Sequence, residues 1–121
     1  MANYSSQLDG VFHALSDPTR RAVVARLGRG SAAVSELAQP FDLALPTFLK
    51  HLKVLEDCGL VKSEKAGRVR TYELVPKRLS LAEQWMADQR ALWDARLDRL
   101  DSYLAELQRQ EVADKRGPKG K

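Results

Sequence analysis

One cysteine, two histidines and no long apolar run set the first limits on what this chain of 121 residues can do. Cys58 has no second cysteine with which to close an intrachain disulfide, and a thiolate metal site needs several cysteines within reach of one another. No apolar stretch approaches the roughly 18 residues that a membrane span requires. The opening "MANYSSQLDG" has no cationic segment leading into an apolar one, so no secretory signal is read there. A cytoplasmic protein is the expectation. Catalytic signatures are missing too: there is no Gly-rich phosphate loop, no nucleophile with an identifiable base, and too little histidine for a hydrolytic site. A protein that is not an enzyme and holds no metal or cofactor is expected.

What is present is uneven charge. The formal net charge is +4, but the basic residues are concentrated in the middle. From Ala44 to Arg78 eight basic residues (Lys50, Lys53, Lys62, Lys65, Arg68, Arg70, Lys77, Arg78) face four acids, eight minus four giving +4. From Leu79 to Gln110 four basic residues face six acids, giving −2. The middle segment would attract phosphates and the later one would not.

The apolar pattern is helical at the start. Leu8, Val11, Phe12 and Leu15 recur at three or four residues, which predicts a first helix of about three turns. "SDPTRRAVVARLGRG" then offers Asp17 as N-cap, Pro18 at the first helical position and Gly28 and Gly30 as stops, predicting a second helix that buries Ala22, Val23 and Leu27. "VSELAQPFD" gives a short third helix capped by Ser35 and ended by Pro40, which discourages helical geometry at Gln39.

In "LPTFLKHLKVLEDCGL" the leucines and lysines separate cleanly on a helical wheel. With Phe48 at zero, Leu52 falls at about +40° and Leu55 at about −20°, while Lys50 and Lys53 lie on the opposite side. Gly59 is the expected left-handed cap. The period then changes to two: "LVKSEKAGRVRTYELV" reads as a β-hairpin with Ala66 and Gly67 at the join and Arg68 in the turn. Val61, Ser63 and Lys65 alternate on the first run, and Val69, Thr71, Glu73 and Val75 on the second. Helical spacing resumes from Leu79 through Leu81, Trp85, Leu92, Trp93, Leu97, Leu100, Leu104 and Leu107, with more apolar face than a small domain covers. The surplus predicts a second copy of the chain as partner.

The fold expected is therefore mainly α with a small β-hairpin wing, in the order α-α-α-α-β-β-α, dimerising through its terminal helices. Residues 1–110 would form the winged helix-turn-helix domain, with a dimerisation helix over about 78–110, and residues 111–121 a flexible basic tail. A helix fits the DNA major groove and its first residues reach base edges, while flanking cations neutralise phosphates. Thr47 and Lys50 sit in the first half of that helix. Lys53, a turn further on, would meet phosphate, and Lys65, Arg68 and Arg70 would bring the wing's charge to the adjacent backbone or minor groove.

The motifs "ALSDPTRRAVVARL", "VSELA", "LPTFLKHLKVLEDCGLV" and "GRVRTYEL" together resemble the ArsR/SmtB family of bacterial winged-helix repressors, from about Val11 to Val75. The resemblance implies a homodimer that binds a palindromic double-stranded operator, with residues 35–57 as the helix-turn-helix. The residues it points to are Ser35, Pro46, Thr47, Leu49, Lys50, Lys53, Lys65, Arg68 and Arg70 for DNA, and Leu8, Phe12, Trp85, Leu92, Trp93, Leu97, Leu100 and Leu104 for the dimer. It implies a branch without the family's usual metal ligands, regulated by an unidentified small-molecule inducer or by abundance alone. The family often has serine where this chain has Ala44 and Leu49; packing against the neighbouring helix is the favoured reading of Leu49, contact with a thymine methyl the other.

Other polar or reactive residues have plain readings. His51, beside the core stripe, is expected to pack or hydrogen-bond, His13 is isolated, Cys58 is expected to be a partly buried thiol, and the aspartates Asp88, Asp94, Asp98 and Asp101 a solvated face. Trp85 and Trp93 are expected to pack at a core or interface rather than line a ligand pocket. The competing functional reading is a winged-helix dimer that serves as a protein-interaction module and has lost specific DNA binding.

Overall fold

In the computed structural model, which describes residues 4–116, the chain runs α1 (Tyr4–Leu15), α2 (Pro18–Leu27), β1 (Ala32–Ala33), α3 (Val34–Ala38), α4 (Leu45–Asp57), β2 (Val61–Ala66), β3 (Val69–Leu74) and α5 (Pro76–Arg116). Two compact units divide between Gln84 and Trp85. The first holds the core. Phe48, Leu52 and Leu55 are 0% exposed and meet Val11, Val23, Leu37, Leu60, Val61 and Tyr72. The three α4 residues are spaced three and four apart, so one helix face carries all the burial.

Local chemistry sets the element ends. Asp17 is extended and its carboxylate accepts the Arg20 amide at 3.0 Å, with Pro18 following at the first helical position, where a missing N–H costs nothing. Beyond α4, Gly59 takes φ +81°; its amide reaches the Glu56 carbonyl at 3.0 Å and the Leu60 amide reaches Leu55 at 3.1 Å. That reciprocal pair closes the helix end and turns the buried Leu60 back onto Leu55. The hairpin turn is Gly67 and Arg68, Gly67 at φ +63° and Arg68 at negative φ, as a two-residue turn with glycine first requires.

Several expectations need correction. The sheet has three strands in the order β1-β3-β2, because Ala32 and Ala33 pair with Tyr72 and Thr71; a two-residue strand is too short to leave a period in the sequence. The α3 cap is Ala33, not Ser35, and its amide is held by the Glu36 carboxylate at 3.0 Å. Gln39 remains helical in φ and ψ despite the following Pro40. On α2, Arg20 is buried with Val23 and Leu27, while Ala22 is exposed. Leu8 is buried in the core of the first unit, which leaves it little surface for a dimer contact, and Phe12 packs partly buried against that core. On β3 the inward residue is Tyr72: register sets Val61 opposite Leu74 and Ser63 opposite Tyr72, so these four share the inner face. Finally, α5 continues to Arg116 rather than ending near 110, since "EVADKR" contains no helix breaker before Gly117. The remaining tail residues, 117–121, lie outside the described residues.

Within the second unit, α5 exposes Leu92, Trp93, Leu97, Leu100 and Leu104, Trp93 at 63%. No helix among the described residues is long and apolar enough to cross a membrane.

Candidate nucleic-acid interface

Burying Phe48, Leu52 and Leu55 turns the opposite side of α4 outward. Pro46, Thr47, Leu49, Lys50 and Lys53 are all exposed, as are Ser35 on α3 and Lys65, Arg68 and Arg70 on the hairpin. Leu49 is 41% exposed and outside the core cluster, which corrects the favoured packing reading: its side chain stands on the solvent side of the helix. Leu45, which sequence reasoning passed over, is 54% exposed at the first turn. The start of α4 has Ala44 as N-cap with no side-chain hydrogen bond, and Pro46 offers no N–H. The amides of Leu45 and Thr47 are thus among those left without an intrahelical acceptor at the positive end of the helix dipole.

The cations differ in how they are engaged. Lys53 lies 3.4 Å from Asp57 one turn on, and Lys62 lies 3.4 Å from Glu73 across the hairpin. Both pairs are exposed, so their interaction is weak and solvent-screened. Lys50, Lys65 and Arg68 have no acidic partner among the described residues. Ser35, Leu45, Arg68 and Arg70 meet around one cleft between the start of α3, the start of α4 and the wing.

Arg70 is tied down. It donates to Ser63 Oγ at 2.8 Å, and Ser63 Oγ donates to Glu56 Oε2 at 2.9 Å, linking the hairpin to the last turn of α4. Beside this chain of bonds, burial and the Glu56 carboxylate hold the Tyr72 phenol above its ordinary pKa. The relay could not be read from the sequence, because it depends on strand register.

A second anchor lies at the other side of α4. The Arg20 guanidinium donates through Nε to the Ala14 carbonyl at 2.7 Å and through Nη2 to the His13 carbonyl at 3.2 Å, satisfying the C-terminal end of α1. Its Nη1 reaches His51 Nδ1 at 3.1 Å. Arginine has no acceptor, so in the neutral ring Nδ1 accepts and the ring proton sits on Nε2. The Asp17 carboxylate, 3.7 Å from Nδ1, is too distant to compete by hydrogen bonding. Its bond from the Arg20 amide outweighs the burial penalty and, with the attraction of the His51 ring when protonated and of the Arg20 charge, holds Asp17 below the usual carboxylate range. His51 therefore bonds structurally, as expected. Arg20 was missed, though its signal is present: it occupies the same face as Val23 and Leu27, three and seven residues on, where an apolar residue belongs.

Cys58 is half-buried and donates to the Leu55 carbonyl at 3.3 Å. Burial pushes its thiol up, away from the reactive thiolate form. Among the described residues no three His, Cys, Asp or Glu side chains stand together as a metal site.

This exposed helix, with a cationic hairpin tied beside it, has counterparts in known proteins. The family model described as a helix-turn-helix domain matches residues 15–64, from the end of α1 into β2. The chain is 44% identical over 80 residues to the HTH-type transcriptional regulator Rv2034 of Mycobacterium tuberculosis, a match covering 66% of this chain and 74% of that protein. It is 29% identical over 79 residues to the transcriptional repressor SdpR of Bacillus subtilis, covering 65% and 88%. Its fold superposes on the crystal structure of the ArsR family transcriptional regulator RHA00566 with a TM-score of 0.73 and 54% identity, over 78% of this chain and 97% of that one. By fold, by the helix-turn-helix match and by these relatives, the chain belongs to the ArsR family of winged helix-turn-helix transcriptional regulators.

Proposed function

We propose that the chain is a homodimeric repressor that binds a palindromic double-stranded operator and releases it without a metal-sensing site. The observation that carries this reading is the division of α4: three wholly buried apolar residues on one side, and Thr47, Leu49, Lys50 and Lys53 exposed on the other. Pro46, Thr47, Leu49 and Lys50 would face base edges in the major groove, with Ser35, Lys53 and Lys65 near phosphate. Arg68, at the tip of the wing, and Arg70 behind it would flank the groove. Two copies would set their α4 helices in successive major grooves, about 34 Å apart.

The dimer reading rests on the exposed apolar side chains of the second unit: Trp93, Leu97, Leu100 and Leu104 are spaced three to four apart so as to share a helical face, with Leu92 exposed at its edge. The reading without metal rests on the donor set, with a single cysteine and two histidines in the sequence. Work in the cytoplasm, at the nucleoid when bound, follows from an operator as target.

Selecting genomic fragments that the full chain retains tests the reading directly. Recovery of a shared inverted repeat, with half-sites centred about one helical turn apart, is the expected result. Recovery without sequence preference would overturn it in favour of non-specific binding, and no recovery would favour the interaction-module reading.

A further inference from the structure

Within the first unit, on the side of the helix-turn-helix where α2 meets the end of α3, lies a cavity of about 600 Å³. This is within the range of small-molecule sites, roughly 300 to 1,000 Å³. Val23, Leu37, Pro40 and Phe41 give it apolar walls, and Arg26 and Arg29 bring two cations to its lining. Its one acid, Glu36, is engaged elsewhere, with one carboxylate oxygen accepting the Ala33 amide at 3.0 Å. Arg26 uses one Nη on the Gly30 carbonyl, at 3.0 Å, and Arg29 has no ion-pair partner among the described residues. Apolar walls with a surplus of guanidinium suit a molecule that is apolar along its length and anionic at one end.

The cavity also touches the recognition helix through one side chain. The Phe41 ring packs on Phe48, centroids 5.5 Å apart and planes tilted by 31°, and Phe48 is the wholly buried anchor of α4. A ligand that moves Phe41 must move or uncouple that anchor.

We propose that this cavity is an effector site for amphiphilic carboxylates, whose binding alters the set of α4 through Phe41 and Phe48. The proposal deepens the repressor reading and rests on it for its regulatory half only. Octanoate is the probe, with octan-1-ol as its uncharged counterpart, titrated into the full chain without DNA and followed by backbone amide NMR. Saturable shifts within residues 22–41 and at Phe48 are expected, with octanoate about tenfold tighter than the alcohol, the scale of one charge-assisted hydrogen bond. Arg29→Ala should remove that preference. Ala25→Phe, which fills the cavity from an exposed position on α2, should abolish the shifts while the thermal unfolding curve stays in place. Equal binding of acid and alcohol, shifts that survive Ala25→Phe, or no saturable shift at all would each overturn the site. In the second arm, saturating octanoate should change affinity for a selected operator by about tenfold, within the usual span of allosteric coupling; unchanged affinity would overturn the coupling. Failure to recover any operator would count against the repressor reading alone, since ligand binding is measured without DNA.

Discussion

Leu49 stands where a polar contact to DNA would be expected, on the exposed side of α4 rather than in the core. Replacing it tests contact against packing: Leu49→Ser should change stability by about 0.5 kcal/mol or less, as surface substitutions do, yet shift operator preference in a binding selection. A large fall in melting temperature with unchanged preference would show that the side chain packs instead. Asp17 makes the opposite kind of contribution, structural and dependent on pH. Asp17→Ala should cost about 1 kcal/mol by loss of the α2 cap, read from chemical denaturation. Because its native pKa lies below the unfolded value, the contribution is fully present above the ordinary carboxylate value of about 3.9 and fades as pH falls from there through the native value. The variant should therefore match the parent increasingly well as the solution is acidified, and a constant difference down to the acid limit would contradict the assignment.

At the level of elements, the wing separates charge from position. Arg68 at the turn has no acidic partner among the described residues, so Arg68→Ala should lower the salt slope of DNA binding by about 0.9, one phosphate contact. Ser63→Ala breaks the bridge between Arg70 and Glu56 without changing any charge. It should weaken operator binding by about three- to tenfold, the range of one or two net hydrogen bonds, and leave the salt slope untouched. Equal slopes in parent and Arg68→Ala would remove the wing tip from the interface. The elements themselves were largely legible: a 3.6-residue period, Asp17 before Pro18, and glycine at 59 and 67 each state a local preference that tertiary packing does not override. What escaped the sequence depends on partners distant along the chain. The pairing of Ala32 with Tyr72, the inward turn of Tyr72 and the relay through Ser63 are consequences of register, and a strand of two residues has no period to show. Arg20 escaped for a different reason: its burial is tolerable only because two α1 carbonyls and an imidazole happen to lie within reach of its fork.

For the whole molecule, the second unit supplies the test of assembly. Leu100→Asp sets a carboxylate in the middle of its exposed apolar face and should shift the sedimentation of the full chain from dimer to monomer. The core of the first unit, with its own buried residues on α1 to α4 and the sheet, should keep the dispersed amide NMR signals of a folded domain in that variant. A dimer that survives the change would place the contact elsewhere. The bond between Arg20 and His51 has a use at this scale as well. The Arg20 guanidinium ties α1, α2 and α4 together, and in the neutral ring the His51 Nδ1 lone pair is occupied by it. The two ring nitrogens of His51 therefore form an internal gauge: their ¹⁵N resonances should register any rotation of α4 against its support, with no label attached to the exposed side of that helix.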